Sequence, residues 1–314
     1  MKKVLFASTA LVAFTGAAAA DVDLSGRAEM GIFQTTGLEA QFFTDIDVTF
    51  TMSGTTDGGL SFGASVDLDE GGAGAAAVAD NSDDGGIVIF ISGGFGTVTM
   101  GDTDGAMDWA LTEAGNVGNP GSLADDETSH AAYVGDYLDG DPVDGTDGQI
   151  LRYDYTSGAF GVAISAEQSN EGVTTAAFSG DLNFAVGFKY TADLGGASVK
   201  FGLGYQEAGV SDALGISVDT TLASGLSLGV VYADWDDAVR DSNLGIGVGY
   251  TTGPISVHAN YGSVDLVGGG SIDGFGLAAA YDLGGGAVVH FGYGQDDSVP
   301  GDFKRASLGL GLSF

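Results

Sequence analysis

The chain has 314 residues, 9 of them basic and 43 acidic, for a formal charge of −34; that balance excludes nucleic acid as a partner, because phosphate binding needs a basic surface. It contains no cysteine, which removes disulfides and thiolate metal sites. At 44% hydrophobic and 17% charged residues it lacks the low hydrophobicity of disorder, and 56 glycines against 4 prolines make glycine the turn residue.

In chain order, Met1-Lys2-Lys3 is basic, residues 4–16 are apolar, and Ala18-Ala19-Ala20 precedes Asp21. This is the layout of a secretory signal with an A-x-A cleavage site, and its apolar core is short for a membrane span. Residues 1–20 are therefore expected to be a cleaved signal peptide and residues 21–314 a single domain, with no linker-like shift in composition dividing it. Processing removes Lys2 and Lys3 and no acid, leaving 7 basic residues and a formal charge of −36.

From Asp21 onward the dominant pattern has period two. Val199, Phe201, Leu203 and Tyr205 alternate with Lys200, Gly202 and Gly204, and Leu226, Leu228 and Val230 with Ser227 and Gly229. Such alternation predicts β-strands, whose successive side chains leave on opposite faces. About sixteen strands are expected, near residues 22–34, 41–53, 59–69, 86–92, 96–102, 149–156, 159–168, 180–191, 197–206, 212–222, 226–234, 241–251, 255–263, 271–282, 286–294 and 303–314. Tight glycine turns such as Ser157-Gly158 and Gly284-Gly285 alternate with longer acidic connections such as residues 70–85 and 169–179. An even strand count with short turns at one end and long loops at the other is the plan of a transmembrane barrel.

The two faces support that plan. One carries Leu, Val, Ile and Phe and often ends in tyrosine, as at Tyr190, Tyr205, Tyr232, Tyr250, Tyr261 and Tyr281. Aromatic residues at strand ends suit a girdle where lipid meets water. The other face is rich in Gly and Ser and holds Arg27, Glu29, Asp45, Asp47, Arg152, Asp154 and Lys200. A closed sheet of this size leaves a water-filled lumen, whereas eight strands would be filled by side chains. The last strand alternates to its end and finishes on an apolar-face aromatic, Phe314.

Residues 101–148 break the rhythm and are loaded with acids. A loop that long in a compact protein is functional or disordered, and folded into the lumen (about residues 102–148) it would set a size limit. Its carboxylates Asp102, Asp104, Asp108, Glu113, Asp125, Asp126 and Glu127 are the candidate constriction residues, since clustered carboxylates in a narrow pore concentrate cations. On the lumen phase of the wall, Arg27, Arg152 and Lys200 are the candidate basic residues; the competing reading pairs them with Glu29 or Asp154 across neighbouring strands. Trp109 packs the loop to the wall or anchors a subunit contact. Asp139, Asp141 and Asp144 space three carboxylates around a turn, a possible calcium site without the EF-hand pattern, or else a solvated loop. His130, His258 and His290 present no triad that spacing alone could identify, so no enzyme is expected and no cofactor is required.

At this point the sequence resembles a known family, the Rhodobacter-type general porins, sixteen-stranded outer-membrane porins of α-proteobacteria. The likeness is carried by DVDLSGRAEMGIF at the start of the barrel, TFTMSGTTDGGLSFGAS at residues 49–65, SGGFGTVTMGDTDGA at 92–106, YDYTSGAFGVAIS at 153–165, YDLGGGA at 281–287 and the alternation ending in Phe314. The resemblance implies an outer-membrane homotrimer, exported through the periplasm into a bilayer that holds lipopolysaccharide. It also implies a third loop folded into each barrel as an eyelet, acidic on the loop side and basic on the wall. It further implies that Phe314 is read by the barrel-assembly machinery and that loop carboxylates bind calcium. The sequence departs from the pattern in having few basic wall residues.

Two functions are consistent with these features. One is a general diffusion porin for ions and small hydrophilic solutes, with cation preference. The other is a secreted or surface-attached acidic β-protein that binds calcium; a solenoid of that kind needs a fixed repeat, which is missing.

Overall fold

A computed structural model describes residues 21–73, 86–123, 149–168, 183–208, 211–236, 238–298 and 302–314. The strands are β1 Asp21–Thr35, β2 Gln41–Thr55, β3 Ser61–Ala73, β4 Ile87–Gly93, β5 Gly96–Gly101, β6 Gln149–Ser157, β7 Phe160–Gln168 and β8 Asn183–Asp193. They continue as β9 Ala197–Ala208, β10 Ser211–Leu222, β11 Leu226–Asp236, β12 Arg240–Thr252, β13 Ile255–Leu266, β14 Ser271–Gly284, β15 Ala287–Asp296 and β16 Phe303–Ser313. Each pairs antiparallel with its sequence neighbours. β1 also pairs with β16, from Arg27 opposite Ser313 to Thr35 opposite Arg305, and the sheet closes into a barrel. Closure leaves no unpaired edge for lipid to satisfy.

All sixteen expected strands are present. The largest displacement of an end is at β3, expected to stop at 69 and found to reach Ala73, where Gly71, Gly72 and Ala73 continue the pairing with Asp45, Thr44 and Phe43. Backbone pairing extends that strand past the point where alternation of side chains marks it. Tight turns join the strands at one end of the barrel; Gly225, at φ 89°, closes one of them where a side chain would be strained.

Burial runs opposite to that of a soluble protein. On β10, Leu214 (53% exposed), Ile216 and Val218 are open, whereas Ala213, Ser217 and Asp219 are buried. On β11, Leu228, Val230 and Tyr232 are open while Val231, Ala233 and Trp235 are buried. The large apolar phase thus faces outward around a closed ring, which only a hydrocarbon solvent makes favourable. Outward tyrosines occupy both ends, Tyr205 and Tyr261 at one and Tyr250 and Tyr281 at the other. No helix among the described residues is long and apolar enough to span a membrane.

Helix occurs only in the β5–β6 connection among the described residues: α1, Ala106–Ala110, and a 3-10 turn, Ala114–Asn116. Five residues are too few for a helical period to show in the sequence. This connection carries the packed core. Ala106, Met107, Leu111 and Ala114 form a buried cluster with Ala163, Ala185, Ala213, Val231, Ala233 and Trp235 of the wall.

Candidate functional site

The β5–β6 connection from residue 102 to 123 packs on the small, polar phase of the strands, the phase opposite the apolar one. Its attachments follow one another around the ring. Arg152 Nη1 on β6 donates to the Asp104 carbonyl (2.6 Å), and the Ala106 N–H donates to Ser165 Oγ on β7 (2.8 Å). Lys189 on β8 lies over the Trp109 ring, its Nζ 3.3 Å from the centroid, and donates to the Trp109 carbonyl (3.4 Å). The Thr112 N–H donates to Ser217 Oγ on β10 (2.9 Å). His258 Nδ1 on β13 meets the Val117 carbonyl and His290 Nδ1 on β15 the Gly121 carbonyl, both at 3.1 Å. Arg27 Nη2 on β1 closes the series on the Ser122 carbonyl (3.4 Å). A carbonyl only accepts, so each of these imidazoles carries its proton on Nδ1.

The wall leaves room for this path. A Cβ on Gly247 would overlap the Ala114 carbonyl, and one on Gly204 would stand 2.9 Å from Met107 Cα, so backbone meets backbone where any side chain would intervene. Met107, wholly buried, fills the space that Gly204 and Gly215 leave. The glycines that alternate with outward Leu and Val are thus a bed for the connection as well as a lumen lining.

Of the candidate acids, Asp102 and Asp104 are exposed, and Asp108 and Glu113 half-buried; Asn116 Nδ2 donates to the Glu113 carboxylate. Asp104 stands 3.6 Å from Arg152 Nη1. Asp125, Asp126, Glu127 and His130 lie outside the described residues, as do the calcium candidates Asp139, Asp141 and Asp144 and the segment 1–20. The candidate bases all lie on the inward phase with acids beside them. Arg27 meets Glu29 at 2.5 Å, Arg152 Nε meets Asp154 at 3.5 Å, and Lys200 Nζ meets Asp219 at 4.0 Å. The first two pairs run along one strand, two residues apart; Lys200 and Asp219 face each other across β9 and β10. Trp109 packs against the wall at Gly161 and under Lys189. Phe314 is 81% exposed at the short-turn end of β16 and donates its N–H to the Gly26 carbonyl.

Sequence reasoning passed over Lys189, His258 and His290 as attachment points, because nothing in strand phase marks which inward residue meets a loop carbonyl. It placed Asp45 and Asp47 of β2 on the inward face without counting them as pore residues, and did not single out Asp67 of β3, whose Oδ1 accepts from Thr49 Oγ1 (2.8 Å). Their phase was available as a signal. Among the described residues no group of three or more metal-ligating side chains is present.

Comparison with known proteins agrees with this architecture. The family model for Gram-negative porins matches residues 7–300. A porin of Rhodobacter capsulatus is 30% identical over 318 aligned residues, covering 94% of this chain and all of that one. A porin structure refined at 1.8 Å superposes with a TM-score of 0.71 and 28% identity, covering 94% of this chain and all of that one. A Rhodopseudomonas blastica porin variant shares the fold at a TM-score of 0.69 and 16% identity, over the same shares of the two chains. A closed sixteen-strand barrel with an apolar exterior rules out the alternative of a secreted calcium-binding β-protein. The chain belongs to the Gram-negative porins, channel proteins of the outer membrane rather than enzymes, which need no cofactor.

Proposed function

We propose that this porin is a general diffusion pore with a preference for cations, narrowed by the β5–β6 connection. One observation carries the preference: inward acids stand both on the connection and on the wall, and the candidate bases Arg27, Arg152 and Lys200 each have an acid beside them. Asp102, Asp104 and Asp108 lie on the connection; Asp45, Asp47 and Asp67 lie on the wall of β2 and β3. Arg27, Arg152 and Lys200 each have an acidic neighbour, and Lys189 is stacked on Trp109. Summed over the lumen, the field is negative, and a low-dielectric wall focuses it on the water path.

Reversal potentials across a planar bilayer under a KCl gradient test this reading. The wild type is expected to be cation-selective, and D102N/D104N/D108N less so, with the larger difference at low salt, where screening is weak. An unchanged reversal potential would take those three residues off the ion path. The same proposal includes a homotrimer, assembly through Phe314 and calcium binding at Asp139, Asp141 and Asp144, each supported by the family resemblance. Gel mobility before and after heating, deletion of Phe314, and calcium-dependent melting of D141N test these in turn.

A further inference from the structure

On β4 the exposed residues Ile87, Ile89 and Ile91 point outward, so Val88 and Phe90 point inward. Both are half-buried. Their inward neighbours are small or polar: Val88 lies between Ser65 and Gly101, and Phe90 between Gly63 and Thr99. A Cβ on Gly63 would strike the Phe90 ring, so the ring covers that glycine. An apolar strip left partly open on the inner wall marks a place where a solute gains by covering it.

Two carboxylates stand at the long-loop end of this strip. Asp67 of β3 is inward, and its N–H meets the Gly86 carbonyl (3.4 Å). Asp102 donates its N–H to the Ile87 carbonyl (3.0 Å). A Cβ on Gly86 would overlap the Asp102 carboxylate, so that carboxylate takes the inward position which Gly86 leaves open. Neighbouring strands lie about 4.8 Å apart, so the two acids flank one spot. Asp102 is exposed and Asp67 half-buried. Thr49 Oγ1 donates to Asp67 Oδ1 (2.8 Å), which uses one of about four acceptor positions on that carboxylate. The inward column on β4 therefore reads acid, valine, phenylalanine. Its four-residue step from Gly86 to Phe90 spans about 13 Å. The next base in register is Arg152, opposite Thr99, and it is engaged by the Asp104 carbonyl and by Asp154.

We propose that this column is a subsite for amphiphilic organic cations. A primary ammonium sits between Asp67 and Asp102, its alkyl chain runs along Val88, and an aromatic end rests on Phe90. The proposal rests on the reading of the lumen as a cation path and names the kind of cation held there. A small inorganic ion meets only the carboxylates and passes. An ammonium with an apolar body that reaches over the same span meets all four side chains, and its three N–H protons suit two carboxylates. Ring against ring adds about a tenfold gain in residence.

The test uses the full protein in planar bilayers, with ethylammonium, hexylammonium or phenylhexylammonium chloride added to KCl. In wild type, phenylhexylammonium is expected to block the potassium current at about tenfold lower concentration than hexylammonium does. Hexylammonium is expected to block at about tenfold lower concentration than ethylammonium. F90A is expected to erase the first difference and V88S to shrink the second, with reversal potentials in KCl alone unchanged in both. D67N/D102N is expected to weaken block by all three cations. Equal block of wild type by hexylammonium and phenylhexylammonium overturns the proposal. So does block that vanishes in D67N/D102N but ignores F90A and V88S, which would reduce the site to a bare carboxylate pair. A wild type without cation selectivity that still shows the F90A effect would defeat the selectivity reading and leave this subsite standing. A cation-selective wild type without that effect does the reverse. Should F90A lose its heat-modifiable mobility, V88S decides alone: unchanged hexylammonium block in that variant rejects the subsite.

Discussion

Two stretches of the same inner wall differ in what their inward residues do. Across β8 to β12 the inward phase carries Gly187, Gly202, Gly204, Gly215, Gly229, Gly247 and Gly249, and each lies within van der Waals reach of the β5–β6 connection. Across β2 and β3 the inward phase carries Asp45, Asp47, Thr49 and Asp67, and among the described residues the attachments of the connection from Asp104 onward fall on other strands. One stretch is shaped for close contact and the other carries charge. Both alternate with equally apolar outward residues, so hydropathy alone does not separate them. Side-chain size on the inward phase does.

The largest expected effect breaks that division from the contact side. G247V puts a branched side chain where the Ala114 carbonyl sits, and overpacking of this kind costs about 1–3 kcal/mol. The connection is expected to lift from the wall, raising single-channel conductance, whereas T49V on the acidic stretch should leave conductance close to wild type. Equal conductance in both variants would show that the glycine bed does not hold the connection. Next in size, D45N/D47N/D67N is expected to lower the cation-to-anion permeability ratio as D102N/D104N/D108N does, about twofold per charge at low salt. Reversal potentials that respond to only one triple would assign the ion path to that side.

The smallest effect concerns the two imidazoles. H258L and H290L each remove a hydrogen bond to a loop carbonyl, a net loss of about 0.5–1.5 kcal/mol. Open-channel noise is expected to rise while mean conductance barely moves. A double variant as quiet as wild type would mean that the apolar cluster around Met107 suffices to pin the connection.

Much of this was legible in the chain itself. The expected strand 212–222 is found as Ser211–Leu222, because Leu214, Ile216 and Val218 alternate without interruption. The inward phase of Arg27, Arg152 and Lys200 was equally plain. Glu29 and Asp154, the partners named by the competing reading, do pair with Arg27 and Arg152, but along one strand, two residues apart, rather than across neighbouring strands. The link from Arg152 to Asp104, 48 residues away, had no sequence signal at all. The same holds for α1, whose five residues take their place from contacts with β6 to β9 rather than from a helical period.

Sequence by itself determined the strands, their number, their two faces and the solvent each face meets. That information is local: a backbone of period two sorts neighbouring side chains to opposite sides wherever it lies in the fold. Tertiary structure alone decided which glycines receive the connection, which carbonyls His258 and His290 hold, and which loop carboxylate stands beside Arg152. Those outcomes join positions about 50 to 170 residues apart through the closing of a ring, and no periodicity along a chain encodes where a non-repeating segment will touch it.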